Sequence, residues 1–193
     1  MNGLFVSIGA GPGIGGSTAS RFAREGFDLL LAARDVSKLE PSAQKIRKET
    51  GRHVETVALD AADFRAVQQF SERFGPAASI LHYNAAAIQK TDVLETPVET
   101  TQRNLSVDIL GALAAIKYFA PYMEQRRKGT ILLTGGGLAL APSAEYLSLS
   151  IGKAGIRCLA SSLSSTLRKR NPYCNSDCHD DGKSWFGTGA CCR

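Results

Sequence analysis

Two side chains suited to acid–base chemistry, Tyr146 and Lys153, lie in the stretch "SAEYLSLSIGK" that begins at Ser143. An ammonium group beside a phenol lowers the pKa of the phenol, which can then donate a proton near neutral pH. Residues four apart are neighbours on a helix, whereas a spacing of seven separates two residues by about 10.5 Å along the axis. Tyr146 is therefore either a displaced acid acting with Lys153 or an aromatic residue in the first turn of a helix capped by Ser143.

A glycine-rich turn, "GAGPGIG", follows the apolar segment "LFVSI" and precedes a segment with helical periodicity. Such a turn brings unhindered backbone amides and a helix N-terminus to one point, where a pyrophosphate gains hydrogen bonds and a favourable interaction with the helix dipole. The alternative is a tight turn that needs positive φ. The position between a strand and a helix favours dinucleotide binding. The predicted contacts are Gly9, Gly11, Gly13, Ile14 and Gly15.

The end of the second apolar segment, "LAARD", bears on the choice of nucleotide. A carboxylate at this point would bind the ribose hydroxyls of NAD, whereas an arginine would bind the 2'-phosphate of NADP. We place Ala33 at the acidic position and Arg34 just beyond it, where a guanidinium can hold a phosphate with two hydrogen bonds. The sequence therefore favours NADP(H) over NAD(H). Two alternatives remain: Arg34 is a solvated surface residue and Asp35 caps the next helix, or a register shift of two gives Asp35 the ribose-binding role.

Strand-like apolar segments alternate with helical segments along the chain, which is typical of a parallel sheet with crossover helices. Two long helices, one from about Thr101 to Lys128 and one after Pro142, each carry a single apolar stripe. The fold class is therefore α/β, and we predict one domain over residues 1–167. The five predicted strands lie in "LFVSIG", "FDLLLAA", "HVETVALD", "SILHYNAA" and "TILLTGG".

Four short motifs follow one another in this framework. Gly9, Gly13 and Gly15 match the pattern TGxxxGxG, with Ile8 in place of the threonine. The segments "LDAAD" at residue 60, "YNAA" at residue 83 and "GKAGI" at residue 152 come next. With these motifs the chain resembles the short-chain dehydrogenase/reductase family from residue 4 to about residue 167.

The resemblance implies a Rossmann-type, doubly wound parallel sheet in three αβα layers. It implies NAD(H) or NADP(H) as cofactor and hydride transfer between the nicotinamide and a small carbonyl or alcohol. It also implies further cofactor contacts from Asp60, Ala61, Asn84, Ala85 and Lys153.

Members of that family use a catalytic tetrad of Asn, Ser, Tyr and Lys, of which this chain matches the lysine, Lys153. The tyrosine position holds Leu149, the serine position falls at about Gly136, and the asparagine position holds Asp108. Leu149 fits the apolar stripe of its helix, and Asp108 either pairs with Lys153 or is a solvated carboxylate. Since general acid catalysis contributes about 10²- to 10⁴-fold, we expect turnover to be weak or lost. The alternatives are a noncatalytic NADP-binding or dimerisation protein that pairs through the long helices, and a nonfunctional truncated product.

The composition restricts the partners and the location. The chain has 193 residues, 44% hydrophobic and 21% charged, and its net charge of +5 is spread without a basic stripe, so we expect no nucleic-acid partner. No apolar run approaches the roughly 20 residues that span a bilayer, and the N-terminus lacks the pattern of a signal peptide. These observations predict a cytoplasmic protein without a membrane partner.

Residues 168–193 break this pattern, because four of the five cysteines fall among the last 20 residues. A zinc site and a secreted disulfide module are two interpretations; the first is disfavoured by adjacent cysteines and the second by the missing signal peptide. The zinc ligands would be Cys174, Cys178, His179, Cys191 and Cys192.

We favour a third interpretation, a shifted reading frame. Read one base later, the codons for residues 171–179 are restricted largely to apolar and β-branched residues, which would form a buried strand. A frameshift or altered splice near Arg168 would remove the last strands of the fold and the substrate lid, and would leave the fifth strand as an exposed edge. On this interpretation residues 168–193 form no domain and hold no metal.

Overall fold

The computed structural model describes residues 3–170 and 174–177. Within these residues, six parallel strands form one sheet in the order β3-β2-β1-β4-β5-β6. The strands are β1 Leu4–Ile8, β2 Asp28–Ala33, β3 Val54–Ala58, β4 Ala78–Tyr83, β5 Gly129–Leu133 and β6 Cys174–Asp177.

In the described part of the chain, six α-helices connect or flank the strands: α1 Ile14–Arg24, α2 Glu40–Thr50, α3 Phe64–Phe74, α4 Val98–Leu105, α5 Gly111–Gln125 and α6 Leu147–Arg170. A π-helical segment, Ser106–Leu110, joins α4 to α5 without a break. Short 3-10 turns lie at Val36–Lys38 and Gly137–Ala139.

Two apolar clusters, one on each face of the sheet, account for the layered architecture. Alternate residues of a strand point to opposite faces. Leu30 therefore belongs to the same apolar cluster as Phe119 and Ile156, on the side of α3, α5 and α6. Its neighbour Leu31 belongs to the cluster that contains Ala19, on the side of α1 and α2. Burial on both faces explains the continuous apolar run of β2. The predicted α/β, doubly wound, three-layer fold is confirmed.

The order of the strands positions the site. The chain winds outward from β1 to β3 and then returns to place β4 on the other side of β1. Such a reversal opens a crevice at the carboxyl ends of the two strands on either side of it, and ligands of doubly wound sheets bind there. The glycine turn after β1 and the segment after β4 therefore meet at this crevice.

The first long helix runs continuously from Val98 to Gln125, close to the predicted limits. Within the described residues it is the one helix whose length and composition would allow it to cross a membrane. That criterion is weak, because core helices meet it as well, and this helix buries Ala112, Phe119 and Met123 in the larger apolar cluster.

The second long helix, α6, begins at Leu147, so the prediction that Ser143 caps it is wrong. Thr91 prevents an earlier start, because its N–H donates to the Glu145 carbonyl at 2.9 Å and its carbonyl accepts from the Leu147 N–H at 3.3 Å. These bonds hold residues 145–147 in a bridge with the neighbouring loop. Tyr146 thus precedes the helix instead of lying in its first turn.

The structure also corrects the expectation that β5 is an exposed edge. The four-residue strand β6 pairs with β5 in parallel, from Gly129 opposite Cys174 to Leu132 opposite Asp177. Cys178, His179, Cys191 and Cys192, the ligands of the disfavoured zinc interpretation, lie outside the described residues. The division of the chain after residue 167 stays a prediction.

Candidate functional site

The glycine turn is pressed against the end of β4. Gly9 has a φ of +81°, and a Cβ on it would lie 2.2 Å from the Ala85 backbone nitrogen. The Asn84 side-chain amide donates to the Gly9 carbonyl at 2.8 Å. Gly15 lies on the inner side, where a Cβ would be 3.1 Å from Asn84 Nδ2. The requirement for positive φ therefore holds at Gly9, and it brings the turn to the crevice.

The N-terminus of α1 is open to an anion. Gly13 is its N-cap and makes no side-chain capping bond, and the first turn contains no acidic residue. A Cβ at Gly11 or Gly13 would meet no atom within 4 Å, so open space lies over the turn. The first N–H groups of a helix have no partner within the helix and favour negative charge. These features fit a diphosphate.

A cleft of about 250 Å³ opens beside the turn, at the carboxyl edge of the sheet. Six of the predicted cofactor residues line it, namely Gly9, Arg34, Asp60, Ala61, Asn84 and Ala85. Gly11, Gly13, Ile14, Gly15 and Lys153 are not part of its lining. The prediction missed Ala10, Ala33, Leu59, Ala86, Ile88 and Val107 as lining residues. Ile88 and Val107 belong to no recognised motif, whereas the other four adjoin predicted contacts.

The structure gives Asp35 a capping role, as in one of the two alternatives, whereas Arg34 lines the cleft. Asp35 caps the 3-10 turn, since its Oδ1 accepts from Ser37 N at 3.1 Å and from Ser37 Oγ at 2.6 Å. The Ser37 hydroxyl and, more weakly, Lys38 lower the pKa of Asp35. Arg34 is exposed and lines the cleft, as does Ala33 at the end of β2.

Lys153 reaches from α6 to the end of β5, where its Nζ donates to the Thr134 carbonyl at 2.9 Å. Gly136 lies beside its stem, and a Cβ there would be 3.5 Å from Lys153 Cδ. Leu149, one helical turn before Lys153, is buried at 8% exposure. Tyr146 is half-buried just before the helix. Leu149 thus fits the inner stripe of α6, as predicted.

Asp108 is buried in the π segment, so its interpretation as a solvated carboxylate is wrong. Its Oδ1 accepts from the Ala87 N–H at 2.6 Å, and its Oδ2 has no hydrogen-bond partner within the described part of the chain. Burial raises the pKa of Asp108 to about 6, although the Ala87 N–H and the charge of Lys153 act in the opposite direction. A substantial fraction of the carboxyl group is therefore neutral near pH 6.

The family model described as short chain dehydrogenase matches residues 4–178. The chain belongs to this family. A very-long-chain 3-oxoacyl-CoA reductase from Pyricularia oryzae is 28% identical over 169 residues, which cover 84% of this chain and 51% of that protein. The chain spans about half the length of the curated relatives it matches.

Solved structures of short-chain dehydrogenases share the fold. L-sorbose reductase from Gluconobacter frateurii, complexed with NADPH and L-sorbose, has a TM-score of 0.79 and 26% identity, covering 88% of this chain and 65% of its own. A short-chain dehydrogenase from Sphingobium yanoikuyae in complex with NADPH has a TM-score of 0.80 and 28% identity, covering 87% and 66%. The matched family and the shared fold therefore agree.

Proposed function

We propose that this short-chain dehydrogenase binds NADP(H) in preference to NAD(H) and transfers hydride slowly between the nicotinamide and a small carbonyl or alcohol. The observation that carries the proposal is the cleft at the carboxyl edge of the sheet. Gly9 of the glycine turn and Arg34 line it, and the same turn leads to the open N-terminus of α1 at Gly13. The two NADPH complexes among the similar structures support it.

The residues present suit each part of the nucleotide. Backbone amides at Gly13 and beyond would hold the diphosphate. Arg34 would bind the 2'-phosphate, and Asp35 is already engaged by Ser37 and Lys38. Asp60 and Ala61 line the cleft where the adenine would lie.

The catalytic side of the site supports slow turnover. When bound, the cofactor supplies the hydride. Lys153 contributes a positive charge that favours oxyanion formation. Leu149 and Gly136 offer neither a proton nor a hydrogen bond to the substrate oxygen. Tyr146 is the candidate proton donor, and its replacement would remove the contribution of general acid catalysis to the rate.

Calorimetric titration with NADPH and NADH tests the binding step. Turnover is then measured with a carbonyl panel that contains ketoses, bulky ketones and 3-oxoacyl thioesters. We expect tighter binding of NADPH and slow oxidation of NADPH by at least one carbonyl. Tyr146→Phe should lower that rate, and an unchanged rate would exclude Tyr146 as the acid. Failure to bind either nucleotide would overturn the proposal.

A second candidate is a noncatalytic NADP-binding protein that forms homo-oligomers through its long helices. The buried Leu149 in place of a tyrosine favours it. Leu110 and Leu113 on the first long helix are 45% and 46% exposed, and Ile151 on α6 is 40% exposed, which suits a pairing surface. Nucleotide binding without turnover, together with a dimer mass by light scattering, would favour this candidate. Aggregation without binding would instead indicate a nonfunctional product. The cytoplasmic location stays a prediction.

A further inference from the structure

A row of polar side chains crosses the buried sheet and ends at the glycine turn. Ser7 Oγ lies 3.0 Å from His82 Nδ1, and His82 Nε2 lies 3.1 Å from Thr134 Oγ1. Thr134 Oγ1 lies 2.9 Å from Asn84 Oδ1, and Asn84 Nδ2 lies 2.8 Å from the Gly9 carbonyl. Three adjacent strands, β1, β4 and β5, thus contribute directly or at their carboxyl ends to one chain of hydrogen bonds.

The direction of every bond in this row follows from its last member. The Gly9 carbonyl can only accept, so the NH₂ group of Asn84 faces it and the amide oxygen of Asn84 faces Thr134. The Thr134 hydroxyl then donates to that oxygen and accepts from His82. His82 must therefore carry its proton on Nε2, and its Nδ1 accepts from the Ser7 hydroxyl.

The surroundings keep His82 neutral. The imidazole is 2% exposed and packs 5.8 Å from the Phe5 ring, and burial lowers the pKa of His82 to about 4. A single neutral tautomer with both nitrogens bonded leaves no unsatisfied polar atom on the ring, which would be costly in this position.

Thr134 also connects the row to the catalytic lysine. Its carbonyl accepts from Lys153 Nζ at 2.9 Å, and its N–H donates to the Tyr83 carbonyl at 3.0 Å. One residue thus holds the ammonium group through its backbone and the Asn84 amide through its side chain. A shift of Thr134 would move both the lysine and the glycine turn.

We propose that His82 and Thr134 are positioning residues, which orient the Asn84 amide and thereby hold the glycine turn in the shape that binds the dinucleotide. This proposal rests on the proposed function, since NADP(H) is the dinucleotide that the glycine turn would bind. Neither residue belongs to the tetrad, and each acts through Asn84 instead of touching the ligand.

Nitrogen-15 NMR of the histidine rings tests the row without any ligand. The resonances that disappear in His82→Gln belong to His82. We expect the Nε2-protonated neutral form, unchanged between pH 5.5 and 8 in a titration of the wild-type chain; that range lies about one unit or more above the lowered pKa. An Nδ1-protonated ring, or a ring that titrates within this range, would overturn the inferred bond directions. Thr134→Val removes the acceptor of the His82 Nε2–H, so the ring should no longer be confined to the Nε2-protonated tautomer.

Calorimetry with NADPH tests the coupling to binding. Thr134→Val keeps the shape of the side chain but leaves Asn84 Oδ1 and His82 Nε2–H unpaired, and we expect the Kd to rise about tenfold. Thr134→Ser keeps the hydroxyl and should stay within about twofold of the wild type. Thr130→Val, in β5 four residues before Thr134 and outside the row, serves as the control. Wild-type affinity in Thr134→Val would overturn the positioning role. Failure of the wild-type chain itself to bind NADPH would refute the proposed function, and the ring NMR would still decide the bond directions.

Discussion

Asp108 and Gly152 lie against each other where the π segment meets α6, and a Cβ on Gly152 would approach Asp108 Oδ2 to 2.6 Å. The same two helices meet one turn earlier, where Asn104 Nδ2 donates to Ser148 Oγ at 2.9 Å. The missing side chain at residue 152 lets α6 close over the carboxyl group and exclude water from it. Burial therefore has the largest effect on the pKa of Asp108, and the charge of Lys153 opposes it only in part.

This packing predicts how stability depends on pH. In the folded chain the pKa of Asp108 is raised to about 6, whereas in the unfolded chain it has its ordinary value of 3.8. The folded state thus binds more protons between these values, and the free energy of unfolding falls as pH rises through them. Asp108→Asn removes this contribution. From pH 4 to pH 8 the free energy of unfolding should therefore fall less in Asp108→Asn than in the wild type, by on the order of 2 kcal/mol.

Urea unfolding at both pH values measures this difference. Asp92→Asn, at an exposed carboxylate, is the control and should follow the wild type. Equal pH dependence in the wild type and in Asp108→Asn would show that the carboxyl is not held neutral by burial.

The glycine turn predicts two contrasting substitutions. Gly9→Ala combines a φ of +81° with a Cβ 2.2 Å from the Ala85 nitrogen, so it should lower the free energy of unfolding by about 2 kcal/mol or more. Gly13→Ala meets no atom within 4 Å, so it should change stability by less than about 1 kcal/mol yet place a methyl group where the diphosphate would lie. Thermal unfolding and NADPH titration separate the two effects. Loss of stability in Gly13→Ala, or full binding by it, would contradict the second expectation.

The strands and the glycine turn are predictable from the sequence because local patterns encode them. The apolar run of β2 reflects burial on both faces, and the spacing of Gly9, Gly13 and Gly15 reflects one turn. The start of α6 was misplaced because Thr91, more than 50 residues earlier, pairs with residues 145–147. The burial of Asp108 likewise depends on Gly152, which no local pattern connects to it.

No sequence motif predicts the polar row, although two of its residues differ from their neighbours in the strands. Ser7 interrupts an otherwise apolar strand and His82 a largely apolar one, and both are buried. A polar residue in the middle of a buried strand requires a partner, which is the signal that could have singled them out. The partner's identity depends on the register of β1 with β4, where Ser7 lies opposite His82.

Arg34 decides the nucleotide preference in our proposal. Arg34→Ala should weaken NADPH about tenfold or more, because a charge-assisted bidentate contact is lost, and should leave NADH within about threefold. Arg24→Ala is the control, because Arg24 is an exposed arginine at the end of α1 away from the glycine turn. The ratio of the two dissociation constants from calorimetry measures the effect. Equal weakening of both nucleotides would remove Arg34 from the 2'-phosphate site.

Leu149 offers a gain-of-function test of the incomplete tetrad. Leu149→Tyr places a phenol one helical turn before Lys153, where the ammonium group would lower the pKa of the phenol. We expect turnover of the best carbonyl substrate to rise about 10²-fold, the lower end of what a positioned acid contributes. Leu149→Phe adds the same ring without the hydroxyl and controls for the cost of enlarging a buried side chain.

The two variants should differ in rate and in pH profile, with a new acidic group evident only in Leu149→Tyr. Equal rates would show that the ring, not the proton, changed the site. An inactive Leu149→Tyr that still folds and binds NADPH would show that acid catalysis is not the missing part, and would favour the noncatalytic alternative. The hydroxyl at residue 149 thus separates a site that lacks only its acid from one that has lost the reaction altogether.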